Sequence, residues 1–361
     1  MKKGLIKLPR NRVRRNYLGG AGIDALHGET VCVDNNMPEE WVGSMVEATN
    51  PGMEVIPHEG LIAIETENGK EFLRDIVDRE RAYYLGESIH KDGSWQLSFL
   101  LKILDSAMRL HVQAHPSTKF ANEVMGKPYG KLECYFILGA RDGIDPYIRL
   151  GFQHAPTKEE WKHIVEVQDK EKMDGCFEKI PVKPGEVWYI PGGMPHAIGE
   201  GITMLEIMEP SDLVVRCEFE REGIIVPEEG RFMGRGLDFC LDIFDYKEYS
   251  KEDIIEKCRI TPTVLEKREG FERLRLVDEK LTPCFFVEKL KVDGQAEISH
   301  NHMFTLGVVC SGSCVMKAGE EEIRLKRGDS FVIAAAVESY EIATDEGTEL
   351  GIVYPGKDME S

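Results

Sequence analysis

The sequence predicts a mainly β chain in which two jelly-roll-like barrels are combined with helical insertions, and three observations carry that reading. The first is an internal echo: KPGEVWYIPGGMPH at residues 183–196 returns as KRGDSFVIAAAVES at 326–339, so one strand–turn–strand unit is used twice. The second is length, since 361 residues exceed what a single hydrophobic core ordinarily holds. The third is a strand face of the wrong polarity, because Gln113 and His115 stand two apart in RLHVQAHPSTKF and share a face that ought to be apolar, with His111 added if the strand reaches back that far. The expected division is a first barrel over 1–227 carrying the chemistry, a helical linker over 228–265, and a degenerate second barrel over 266–361.

Taken in order, residues 2–15 hold seven basic residues and no acid, and read as the lead-in to a first strand rather than as a nucleic-acid arm or a transit peptide. Residues 38–57 read as a strand and a turn closing on Asn50-Pro51-Gly52, with Trp41 and Ser44 lining the barrel, and 60–86 as a polar helical stretch. The apolar run from Ser98 leads into the strand with Gln113 and His115. After Glu133 an extended loop with Pro146 is expected, then a helix over 158–170 capped by Thr157. His154 and His163 read as surface or packing residues. Residues 228–262 turn helical, with Ser250 as a cap, and strands resume after Pro262.

The chemistry is concentrated in three short motifs. Gln113-x-His115-Pro116 comes first, Lys131-x-Glu133 second, and GEVWYIPGGMPH third, where Val187–Ile190 reads as a buried strand, the Pro-Gly-Gly turn reverses the chain, and His196 is delivered on the next strand toward the interior. Imidazoles with amide and carboxylate oxygens form a mixed ligand set that suits zinc or another first-row divalent ion. The spacing of Gly185, Pro191, Gly193 and His196 is that of the second metal signature of the cupin barrels. Together the motifs resemble those of the type I mannose-6-phosphate isomerases, and EEWVGSMV, LLKILDSAMRL and LEIMEPSDLVVR extend the likeness over most of the chain.

That resemblance implies a bicupin with one zinc held by Gln113, His115, Glu133 and His196 in the N-terminal barrel. It implies an aldose–ketose isomerase, mannose 6-phosphate to fructose 6-phosphate through an enediolate, with Lys131 and Arg216 holding the substrate's oxyanions or phosphate. The general base stays open among Lys131, Glu206, Asp212 and a metal-activated water. The chain departs from the family in four places. The tryptophan expected near Asn16–Gly20 is missing, His111 replaces a small hydroxyl residue, Leu132 replaces a threonine, and Ala334, Ala336 and Ser339 replace the second barrel's proline, glycine and histidine. His300 and His302 are therefore expected to be decoys.

Composition narrows the partners. With 64 acidic against 45 basic residues the net charge is −19, which argues against nucleic acid and anionic membranes and means that an anionic substrate must be caught locally; the resemblance implies a sugar or sugar phosphate as that substrate, and both monomer and homodimer stay open. No apolar run long enough for a membrane span or signal peptide is present, and nine scattered cysteines suit a reducing compartment, so a cytoplasmic protein is expected. Cys310 and Cys314 lack the spacing of a zinc knuckle. Two other classes share some of these features: a non-haem iron cupin oxygenase, for which a glutamine ligand is unusual, and a non-catalytic sugar-binding regulator.

Overall fold

In a computed structural model the chain is described over residues 2–67, 69–86 and 97–356. Two antiparallel sheets face each other in the first half. One runs in the order Val187–Ile190, Glu133–Ala140, Ile202–Met208, Leu100–Asp105, Glu39–Val42, Arg12–Val13, and the other in the order Ile180–Pro181, Tyr147–Leu150, His196–Ile198, Gln113–Ala114, Val215–Arg216. The strands form where β-branched and aromatic residues alternate with polar ones or run together as buried stretches, as in VWYI and ITMLEIM. Tyr135, Ile137, Trp188 and Met204 of the first sheet pack against Ile148, Leu150, Ile180 and Ile198 of the second, which makes the space between the sheets a filled core. Each such side chain contributes about 1.5–3 kcal/mol by leaving water.

The second barrel is built from strands between Thr263 and Pro355, and the strand Leu5–Lys7 joins it, pairing antiparallel with Ser330–Ile333. Phe136, Leu205 and Ile207 of the first barrel share one apolar cluster with Phe285, Leu306 and Val353 of the second. The internal echo is structural as well as textual. Ser330–Ile333 and Ser339–Ala343 repeat the strands at Val187–Ile190 and His196–Ile198, and Gly185 and Gly328 take matching φ values of 87° and 85°. The turns between them differ. Gly193 adopts φ 90°, whereas Ala336, at the matching position, is not among the residues of positive φ.

Several local expectations need revising. Residues 60–86 open with a hairpin, Ala63–Thr66 against Gly69–Phe72, because Ile62 and Ile64 alternate with exposed Glu65; helix begins only at Leu73, where Leu73, Ile76 and Val77 supply a buried stripe. The helix expected over 158–170 runs Lys158–Val167, started by a capping box of Thr157 and Glu160. It stops because Gln168 turns left-handed at φ 55° and ties its amide to the Val165 and Cys217 carbonyls at 2.7 and 2.9 Å. A second helix, Lys170–Gly175, follows. The loop expected around Pro146 leads into a further strand, Tyr147–Leu150.

Residues 228–262 hold short helical turns and the helix Lys251–Cys258, capped by Ser250 and Asp253. This segment closes over the outside of the five-stranded sheet, where Trp161, Leu241, Ile243 and Phe244 bury Val112, Ala114, Ala197 and Val215. Among the described residues no helix is long and apolar enough to cross a membrane.

Candidate metal centre and active site

Four strands bring the polar residues together. Gln113 lies opposite His196 on one side and opposite Arg216 on the other, so the two-residue strand Gln113–Ala114 spaces these three side chains across the sheet. Glu133 opens its strand in the facing sheet, opposite Ile190 and Met208. The turn that delivers His196 demands glycine twice. A Cβ on Gly192 would stand 2.4 Å from the Ser117 Cα, and Gly193 combines its positive φ with a 2.6 Å hydrogen bond from its N–H to the His115 carbonyl. The turn thereby presses the two histidines together, with ring centroids 5.0 Å apart.

His115 Nε2 is 3.1 Å from Glu133 Oε1, His196 Nε2 is 3.5 Å from Glu133 Oε2, and the Gln113 amide is 3.3 Å from His196 Nε2. The three residues His115, Glu133 and His196 are buried and bring one ligand atom each to within 4.8 Å of one another. Each imidazole is oriented by its other nitrogen: Nδ1–H of His115 donates to the Leu213 carbonyl at 2.8 Å and that of His196 to the Met194 carbonyl at 3.0 Å. Both Nε2 atoms are therefore left as lone pairs. His115 Nε2 and Glu133 Oε1 are buried and face each other without a well-formed hydrogen bond, Glu133 Oε1 having the Lys131 ammonium 2.9 Å away as its ion-pair partner. Converging lone pairs on buried donors repel, and a divalent cation between them is what would turn that repulsion into attraction. The donor set therefore fits a metal.

Electrostatics agree with this protonation state. Burial, reinforced by Lys131, lowers the His115 pKa to about 3, and burial lowers that of His196 as well. For Glu133, burial favours the neutral acid, but Lys131 at 2.9 Å and the two histidines outweigh it and hold the carboxyl well below its usual range. Tyr135 Oη also donates to Glu133 Oε2 at 2.6 Å. The ligand candidates are thus neutral, neutral and anionic, as metal binding requires.

Over this cluster lies a pocket lined by Lys131, Gln113, His111, Glu206, Asp212 and Arg216, and also by Arg15, Tyr17, Glu39 and Lys102. Lys102 Nζ sits 2.9 Å from Glu206 and 3.8 Å from Glu39. Glu39 further accepts from Arg15 Nε at 2.9 Å, Tyr17 Oη at 2.8 Å and Trp41 Nε1 at 2.7 Å. Burial would raise Glu39, but Arg15 and Lys102 bring it down to about 2; burial of Glu206 wins over Lys102, with Glu133 adding to it, and raises that pKa to about 7. Arg216 donates from Nη1 to the Gly230 carbonyl at 2.6 Å, and burial together with the charge of Arg15 lowers it to about 10.

His111 stands apart from the metal cluster. Its strand begins only at Gln113, and its Nε2 faces the Ile224 carbonyl at 3.1 Å, so it lines the pocket without joining the buried donors. Trp41 is 1% exposed and supports Glu39 from behind. Arg15, Tyr17, Glu39 and Lys102 were passed over in the sequence. Arg15 hid in a basic run, while Lys102 carried a usable signal as the lone cation in LLKILD. In the second barrel, His300 spends Nδ1 on the Val337 carbonyl and Nε2 on Thr305 Oγ1, both at 2.9 Å, while His302 Nδ1 lies 3.3 Å from the Ala335 carbonyl. Among the described residues, His115, Glu133 and His196 are the one such group of metal-ligand type.

Residues 34–130 match the family described as phosphomannose isomerase type I, catalytic domain, and residues 280–350 the mannose-6-phosphate isomerase cupin domain. The mannose-6-phosphate isomerase of Streptococcus mutans is 30% identical over 247 residues, covering 68% of this chain and 71% of that one. ManA of Bacillus subtilis, also named a mannose-6-phosphate isomerase, is 29% identical over 237 residues, 65% of this chain and 68% of its own. The crystal structure of the mannose 6-phosphate isomerase from Bacillus subtilis superposes with a TM-score of 0.71 at 22% identity, over 98% of this chain and all of that one, which speaks to the fold. The coverage and identity of the Streptococcus relative, joined to the two family matches, establish that this chain belongs to the type I mannose-6-phosphate isomerase family.

Proposed function

We propose that the chain interconverts mannose 6-phosphate and fructose 6-phosphate, using one zinc ion held by Gln113, His115, Glu133 and His196. The observation that carries the reading is the convergence of two imidazole lone pairs and one buried carboxylate beneath a pocket that also presents Lys131, Glu206 and Arg216. A bound divalent ion would supply Lewis acidity, stabilising negative charge as a proton leaves the carbon beside the sugar carbonyl.

The rest of the work falls to side chains. Glu206, with a pKa raised to about 7, is matched to taking a proton and returning it near neutral pH, and Lys102 at 2.9 Å holds its carboxylate in place. Lys131 reaches into the pocket from Glu133 and steadies the enediolate oxygens from the protein side. Arg216 adds a planar fork suited to an anion. Iron chemistry has less support, since Gln113 stands beside His196 as a further amide donor.

The test is direct. Chelator-stripped protein reconstituted with zinc should convert mannose 6-phosphate to fructose 6-phosphate, and the stripped protein should not. Reconstituted protein that binds the sugar phosphate without turnover would instead make the chain a sugar-binding regulator.

A further inference from the structure

We propose that Arg15 works with Arg216 as an anion clamp that takes the phosphate group of the sugar, making Arg15 a specificity-determining residue. The inference rests on the sugar-phosphate reading of the pocket and adds to it the place where the phosphate is held. Four cationic side chains line this pocket: Arg15, Lys102, Lys131 and Arg216. Both lysines are committed, Lys102 to Glu206 and Lys131 to Glu133, each at 2.9 Å. The two arginines differ. Among the described residues Arg216 has no carboxylate within ion-pair distance, and its side chain makes one hydrogen bond, to the Gly230 carbonyl. Arg15 gives Nε to Glu39 and Nη1 to Asn50 Oδ1, both at 2.9 Å, which leaves its Nη2 amino group with no hydrogen-bond partner among those residues.

The pair is also preorganised. The Arg15 guanidinium lies over the Trp41 ring, 4.8 Å from its centroid, so its fork is held from behind by an aromatic face, from one edge by Glu39 and from another by Asn50. Arg216 is fixed by its strand beside Gln113. The two guanidiniums are near enough that Arg15 disfavours the charge on Arg216, and Asp212, which lies on the pocket rim, offsets this at longer range without forming an ion pair with either. A dianionic phosphate bridging the two would relieve the repulsion, and two forks can supply parallel hydrogen bonds to its oxygens.

The experiment uses metal-loaded protein and inorganic phosphate. Calorimetric titration should show phosphate binding to the wild type, weakened about ten-fold in Arg15→Gln, which is the size of one charge-assisted hydrogen bond. In turnover assays the same substitution should raise KM for mannose 6-phosphate and the inhibition constant of phosphate by similar factors, with kcat within about two-fold. Arg15→Lys keeps the charge against Glu39 but loses the fork, and should recover only part of the affinity; it also stands in if Arg15→Gln does not fold. Phosphate affinity equal in wild type and both variants, or no phosphate binding by the wild type, would overturn the clamp and leave Arg15 as the counter-ion of Glu39. Should the wild type bind phosphate through Arg15 yet fail to turn over mannose 6-phosphate, the clamp stands and the proposed reaction falls.

Discussion

Replacing Glu133 by Gln is the substitution in which structure and chemistry make the sharpest joint demand. The change is nearly isosteric, so no cavity opens at a residue that is wholly buried. What goes is the one negative charge among the candidate metal donors and the partner of Lys131, 2.9 Å away. Breaking a buried pair by removing one member costs about 3–5 kcal/mol, and because the Lys131 side chain is 11% exposed and can turn toward the pocket, the lower end, about 3 kcal/mol, applies here. Thermal melting of the metal-free proteins should show the variant lower by roughly 4 °C. Metal binding should suffer more, since changes to groups that merely orient ligands already cost about 10–100-fold. Chelator competition should thus show zinc affinity down by more than about 100-fold. Saturating zinc at a thousand times the wild-type Kd should raise wild-type stability by about 4 kcal/mol, and the same concentration should raise the variant's by no more than about 1.4 kcal/mol. A variant that melts with the wild type and competes equally for zinc would refute the reasoning, because Glu133 would then be neither the anion of the site nor the anchor of Lys131.

Two further outcomes follow from the same geometry. Glu206 has its pKa raised from 4.5 to about 7 by burial, against Lys102, so the folded chain keeps a proton that the unfolded chain releases; this contribution, about 3 kcal/mol, is full below about pH 4.5 and is lost as pH rises through about 7. An infrared carboxyl band absent from Glu206→Gln should titrate near pH 7, and a midpoint at or below 4.5 would contradict the burial argument. His302→Ala should leave metal content unchanged, because the neighbouring His300 already spends both ring nitrogens on protein partners; loss of a second bound metal in that variant would overturn it.

The fold and the buried group of His115, Glu133 and His196 were legible for different reasons. The donors announce themselves because Gln-x-His-Pro and Pro-x-Gly-x-x-His encode backbone geometry as well as ligands: Gly193 must be glycine for its positive φ, and His196 follows at the distance that turn imposes. The repeat was legible because Gly185 and Gly328 turn alike. Residues 60–86 were misread since charged residues at Glu65, Lys70 and Glu71 mask the alternation of Ile62 and Ile64. The network of Arg15, Tyr17, Glu39 and Lys102 was not legible, because it is assembled from two strands and a connecting segment that come together only through the register of Glu39–Val42 against Leu100–Asp105. A charged residue inside LLKILD was the available clue. Whether His111 shares the face of Gln113 was open in the sequence, because only tertiary structure fixes where that strand begins, at Gln113.

One metal, at one site, should carry the isomerase activity. Chelator-stripped protein should be titrated with zinc while fructose 6-phosphate formation from mannose 6-phosphate is followed. Activity should rise in proportion to added zinc and break sharply at one equivalent per chain, with no rise in His196→Ala. Full activity before any metal is added, or a break at two equivalents, would contradict it.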